Sequence, residues 1–168
     1  MIADVLHFSF TVSDIDASIA WYTEDLGLRL VHRQRQENEY TPRLVGIPGT
    51  VLDVAQFAIP GLDSRFSTHM LELVQYVRPD GGRHDLATNR VGVAHLALLV
   101  TDLHDTYERM RDRGVFFQSE PIAITEGANA GGYACYLHDP DGITIELMQF
   151  SKSRAEALGM PRDVGGGS

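Results

Sequence analysis

This chain is written twice, and the duplication limits what it can fold into more than any other feature. The first copy opens with Leu6-His7-Phe8-Ser9-Phe10-Thr11-Val12-Ser13-Asp14-Ile15, the second with Ala94-His95-Leu96-Ala97-Leu98-Leu99-Val100-Thr101-Asp102-Leu103. Each copy closes on an apolar run with one carboxylate inside it, Leu71-Glu72-Leu73-Val74-Gln75 and Ile145-Glu146-Leu147-Met148-Gln149. A His on the first strand and a Glu on the last make a half-site, and two such half-sites brought face to face would make a four-ligand metal site.

Patterning assigns the elements of each copy. Residues 5–12 alternate, with Leu6, Phe8, Phe10 and Val12 on one face and His7, Ser9 and Thr11 on the other, the period of a half-buried strand. Ser13 or Asp14 then serves as helix N-cap, and Ile15, Ile19, Tyr22 and Leu26 form one helical stripe that ends at Gly27. Strands are expected at 28–36 and roughly 43–58, then the strand of Glu72. The second copy predicts a strand at 93–100, Thr101 as N-cap, and a stripe of Leu103, Tyr107 and Met110 that stops at Gly114. Strands follow at about 115–118, 132–138 and 142–149, the last two joined by the turn Asp139-Pro140-Asp141-Gly142. The expected organisation is a first strand–helix–three-strand module at 1–76 and a linker at 77–91. A second module at 92–150 and a flexible polar tail at 151–168 complete it. His7 to His95 is a shift of 88 and Glu72 to Glu146 a shift of 74, so the first copy is longer in its middle, around Pro60 to Ser67.

Composition narrows the function classes. The chain has 168 residues, 43% of them hydrophobic, which suits one soluble globular protein with a sizeable core. A formal net charge of -9 argues against nucleic acid and anionic membranes as partners, since phosphate binding needs a basic face. No apolar run approaches the roughly 20 residues that span a bilayer. The lone Cys135 and the absence of a secretory signal give a cytoplasmic expectation.

With the His-bearing first strands, Trp21-Tyr22, Asp25-Leu26-Gly27-Leu28 and the closing Asp-Pro-Asp-Gly before Ile145-Glu146-Leu147, the sequence resembles the vicinal oxygen chelate superfamily over roughly residues 4–150. That superfamily includes glyoxalase I, methylmalonyl-CoA epimerase and the extradiol dioxygenases. The resemblance implies an α+β fold, two tandem βαβββ modules forming an open curled sheet around one divalent metal ion. It implies His7, Glu72, His95 and Glu146 as metal ligands. Two carboxylates, two neutral imidazoles and one divalent ion sum to zero charge, which offsets the cost of burying each Glu. Such a set suits octahedral Ni, Mn, Co or Fe with two positions open, and also Zn at raised coordination.

The ligand set also discriminates among branches. Fosfomycin-type transferases and extradiol dioxygenases use two His and one carboxylate, and bleomycin-sequestering members lack the metal set. Bacterial glyoxalase I matches as His, Glu, His, Glu, whereas methylmalonyl-CoA epimerases show Gln at the position of Glu72. The basic and Asn/Thr residues that glyoxalase I uses for glutathione are not found at their usual places. The stretches Val45 to Thr50, Glu72 to Tyr76 and Glu126 to Asn129 look closer to an epimerase-like branch resembling 2-epi-5-epi-valiolone epimerase. The implied function is a metal-dependent epimerase or isomerase that abstracts a proton beside a carbonyl through an enediolate, on a cyclitol or sugar-like ketone. Glu72 and Glu146 are the expected catalytic bases. The alternatives are a glyoxalase-I-like lyase, then an extradiol-type dioxygenase, or a non-catalytic antibiotic-binding protein. The expected partners are a small-molecule substrate and a second copy of the chain in a homodimer.

The other polar and aromatic residues carry blander expectations. His32, His69, His84, His104 and His138 have no duplicate and are expected at the surface, with His69 and His138 nearest the ligand strands. Tyr76 shares the face of Glu72, Asn129 sits in a Gly-rich loop, and Tyr133 and Tyr136 are expected in the sheet wall. Cys135 is expected to be a small buried hydrophobe, and Arg33, Arg35 and Arg43 solubilising charge.

Overall fold

The apolar stripe in each copy's helix demands a layer of helix over sheet, and both copies form one, although Leu6 and Phe8, on the face of the first strand expected to be buried, are exposed. The computed structural model describes residues 6–58 and 70–160. The chain divides into two compact units, one running to His84 and one from Asp85. The first unit contains β1 (His7–Thr11), α1 (Ile15–Glu24), β2 (Arg29–Gln36), α2 (Tyr40–Val45), β3 (Val51–Ala58) and β4 (Met70–Arg78). The second contains β5 (Leu96–Leu99), α3 (Leu103–Asp112), β6 (Ile122–Ala123), β7 (Tyr133–His138), β8 (Thr144–Gln149) and α4 (Lys152–Ala157). The sheets have the same topology, β1-β4-β3-β2 and β5-β8-β7-β6. In each, the first strand pairs parallel with the last, and the other pairs are antiparallel.

The core of each unit lies between the helix stripe and one sheet face. Ile15 and Tyr22 of α1 are buried with Phe57, Leu71 and Leu73, and Leu103 and Met110 of α3 with Leu137, Ile145 and Leu147. Each fully buried side chain of this kind contributes about 1.5–3 kcal/mol. The last strands therefore present alternate residues to the core, which leaves Glu72 and Glu146 on the opposite face. Polar ties repeat too. The side chain of Asp14 accepts hydrogen bonds from the N–H groups of Asp16 and Ala17, and that of Asp102 from Asp105. Gln75 Oε1 accepts from Ile15 N at 3.0 Å and Gln149 Oε1 from Leu103 N at 2.7 Å, so each last strand holds the start of its helix.

Four expectations about elements change. Residues 40–45 form α2 where a strand was expected to begin at 43. Asn38 Oδ1 accepts from Tyr40 N, Thr41 N and Thr41 Oγ1, which winds the chain into a turn, and Gly46 ends it at φ 74°. The N-cap of α3 is Asp102, not Thr101, because a carboxylate answers the free N–H groups and positive end of the helix best. The strand expected at 115–118 shrinks to a bridge between Phe117 and Leu137, and β6 forms instead at Ile122–Ala123, beyond Pro121, which has no N–H to pair. The polar stretch after Phe150 contains α4, capped by Ser151 Oγ on Arg154 N. Arg154 Nη1 also donates to Ala128 O at 2.8 Å and lies over the Phe150 ring, which docks this short helix on the 124–132 turn.

The β7–β8 turn is the expected one: Gly142 N donates to Asp139 O, and Asp139 Oδ1 accepts from Asp141 N and Ile143 N. β4 runs to Arg78, two residues into the stretch read as linker. The extra length expected around Pro60 to Ser67, and His69, lie outside the described residues. No helix among the described residues is long and apolar enough to cross a membrane.

Candidate functional site

Strand register builds the same half-site in both units. Ser9 pairs with Glu72 across β1 and β4, and Ala97 pairs with Glu146 across β5 and β8. His7 stands two residues before Ser9 and His95 two before Ala97. In β1 the period of two keeps the His7 imidazole on the face that carries Ser9, whereas His95 stands immediately before β5, which begins at Leu96 rather than at 93 as expected. The resulting geometry is nearly equal in the two units. His7 Nε2 lies 3.5 Å from Glu72 Oε1, and His95 Nε2 lies 3.2 Å from Glu146 Oε2. Two ligands at right angles around an ion, each about 2.1 Å from it, stand about 3 Å apart, so both pairs have the spacing of neighbouring ligands.

The electrostatics of each pair favour a cation. The side chains of Glu72 and Glu146 are only 15% and 14% exposed, between Leu or Ile neighbours on the core side. Among the described residues, the ion-pair partner of each is a histidine, not a Lys or Arg. A mostly buried carboxylate with no Lys or Arg beside it is costly to desolvate, a cost that a divalent ion on the same two groups would offset. His7 Nδ1 is buried and has no hydrogen-bond partner. The four predicted residues are thus brought together as two pairs, and among the described residues no group of three or more His, Cys, Asp or Glu side chains is gathered at one place.

Two further residues belong to this setting, and sequence reasoning missed the part they play. Gln56 is the cross-strand partner of Glu72, and its Nε2 donates to Glu72 Oε2 at 2.9 Å. Tyr136 holds the equivalent register place opposite Glu146, and its ring lies 5.4 Å from that of His95. Burial, and then the charge of Glu146, raise the Tyr136 hydroxyl above the usual phenol range and keep it protonated. Tyr136 is therefore beside the half-site rather than simply in the sheet wall. Gln56 is one of two polar residues, with Asp53, in the otherwise apolar run of β3, which is a signal too weak to give its partner. Of the other histidines, His32, His84 and His104 are exposed, His104 against the Tyr133 ring, and His138 Nδ1 meets Gly142 O. Cys135 is buried as expected.

Known proteins resemble the chain throughout this region. The family model described as the Glyoxalase/Bleomycin resistance protein/Dioxygenase superfamily matches residues 4–147. A 2-epi-5-epi-valiolone epimerase from Actinomyces sp. is 30% identical over 147 residues, which cover 86% of this chain and 78% of the relative. A probable lactoylglutathione lyase from Synechocystis sp. is 28% identical over 151 residues, covering 89% of this chain and 98% of the relative. Among solved structures, a glyoxalase family protein from Bacillus cereus superposes with a TM-score of 0.76 at 21% identity, over 90% of this chain and 96% of that one.

Proposed function

Because the chain belongs to the glyoxalase, bleomycin resistance protein and dioxygenase superfamily, we propose that it is a divalent-metal-dependent epimerase or isomerase. It would remove a proton beside a carbonyl and return it by way of an enediolate. The observation that carries this reading is the repeated pair of a mostly buried carboxylate and an imidazole Nε2 at ligand-to-ligand spacing. His7, Glu72, His95 and Glu146 would hold the ion, which when bound supplies Lewis-acid polarisation of the carbonyl and a counter-charge for the oxyanion.

The protein's own part is acid–base chemistry. Glu72 and Glu146 are the bases, each on the last strand of its sheet and each kept from bulk water by its neighbours, so that either can accept a proton from carbon over a short path. Epimerisation needs a base on each face of the reacting carbon. The chain repeats a mostly buried carboxylate, one in each unit, and two bases rather than one are what support an epimerase over a reaction served by one base. By analogy with the Actinomyces relative, the substrate is a cyclitol or sugar-like ketone. The second reading is a lactoylglutathione lyase, favoured by the Synechocystis relative, nearly all of whose length this chain matches.

The test is proton exchange. With 2-epi-5-epi-valiolone in deuterated water and Mn(II) or Co(II), the proposal expects deuterium at the carbon beside the carbonyl together with a new epimer. Lactoylglutathione formed from methylglyoxal and glutathione, with the ketone untouched, would replace the epimerase by the lyase.

A further inference from the structure

Resting on that metal-site reading, we propose that the two copies of the half-site are braced on opposite members: Gln56 positions the carboxylate Glu72, and Tyr136 positions the imidazole His95. The duplication makes this comparison well defined, since Gln56 and Tyr136 occupy the same place in the ladder, each opposite the Glu of its own last strand. What they contact differs. The Gln56 amide donates to Glu72 Oε2, so the carboxylate cannot rotate freely and Oε1 stays directed to His7 Nε2. Only an N–H donor does this. Tyr136 lays its ring beside that of His95 at an interplanar angle of 39°. His95 is the more exposed of the two histidines, at 43% against 33%, so a flanking ring restricts an imidazole that little else encloses. The brace on one side is thus a hydrogen bond and on the other a packed aromatic surface.

The Gln56 brace has a sign that plain packing does not share, and the Tyr136 brace is a ring contact read out in metal affinity rather than in stability. If Gln56 acts through its N–H, then Gln56→Glu, which keeps the shape but replaces the donor with a like charge, must be worse than Gln56→Ala. If Tyr136 acts through its ring, Tyr136→Phe must behave as wild type and Tyr136→Ala must not. Groups that orient metal ligands typically change affinity by about 10–100-fold.

The measurement is Mn(II) and Co(II) affinity of the intact chain by calorimetry, with circular dichroism confirming that each variant is folded. The expected result is a loss of about tenfold or more for Gln56→Ala, a larger loss for Gln56→Glu, a comparable loss for Tyr136→Ala, and an affinity within about twofold of wild type for Tyr136→Phe. Gln56→Glu binding at least as well as Gln56→Ala, or Tyr136→Phe failing as badly as Tyr136→Ala, overturns the bracing while leaving the metal site in place. A wild-type protein that takes up neither ion overturns the metal-site reading and the bracing with it.

Discussion

Glu72 and Glu146 are the residues on which the proposed chemistry turns, and their settings set what replacing them should do. Gln is nearly the same size, so Glu72→Gln and Glu146→Gln leave strand packing intact but remove a base. Each is expected to lower the rate of solvent-deuterium exchange by about 10²–10⁴-fold, and an unaffected rate in both variants would rule out the assignment. Cys135 permits a different test. Burial first, and the charge of Glu146 second, push its thiol up to about 11. An unfolded thiol loses its proton near pH 8.5, so the native state is favoured by this group below that pH. The contribution declines as pH rises from there through about 11. Stability of the wild type should therefore fall more steeply between pH 8.5 and 10.5 than that of Cys135→Ala, measured by urea unfolding. A thiol reagent at pH 8 should react slowly until the protein unfolds.

Elements in this protein are joined by side chains as well as by ladders. Gln75 binds both the N–H of Ile15 and the carbonyl of Ser13, whereas Gln149 binds the N–H of Leu103. Both tie a last strand to a helix start, where the helix has N–H groups without partners. Gln149→Ala should cost about 1 kcal/mol and Gln75→Ala more, about 1–2 kcal/mol, in urea denaturation. Equal small effects would show that water replaces these contacts without loss. The same paragraph of sequence, Glu-x-x-Gln, thus places a site carboxylate on one face and a structural amide on the other, since a step of three along a strand reverses the face. Elements without strong local patterning were harder to read. Tyr40–Val45 winds because Asn38 satisfies its first N–H groups, and β6 is only two residues long, too short to show a period.

At the scale of the whole molecule, the two units have one topology and one half-site each. A metal that binds these carboxylates and imidazoles in the folded state, and not in the unfolded chain, stabilises by mass action. At about 100 times Kd this amounts to about 2.7 kcal/mol. Thermal unfolding with saturating Mn(II) should therefore occur at a higher temperature than in EDTA, and His7→Ala should reduce the difference. A melting temperature unchanged by metal or chelator would count against the site.

The repeat, the helix stripes, the Asp-Pro-Asp-Gly turn and the His and Glu that each copy brings into a pair were legible in the sequence, because hydrophobic period and turn chemistry act over a few neighbouring residues. The family resemblance was legible for the same reason, as motifs in order. What tertiary structure alone decided is pairing between residues far apart in the chain. Gln56 lies 16 positions before Glu72 and Tyr136 lies 10 before Glu146, yet both occupy the same register place. The intervening connections, 59–69 and 139–143, differ in length. Register is fixed by where the strands' apolar faces meet the helices, a condition that packing satisfies and that no local stretch of sequence contains.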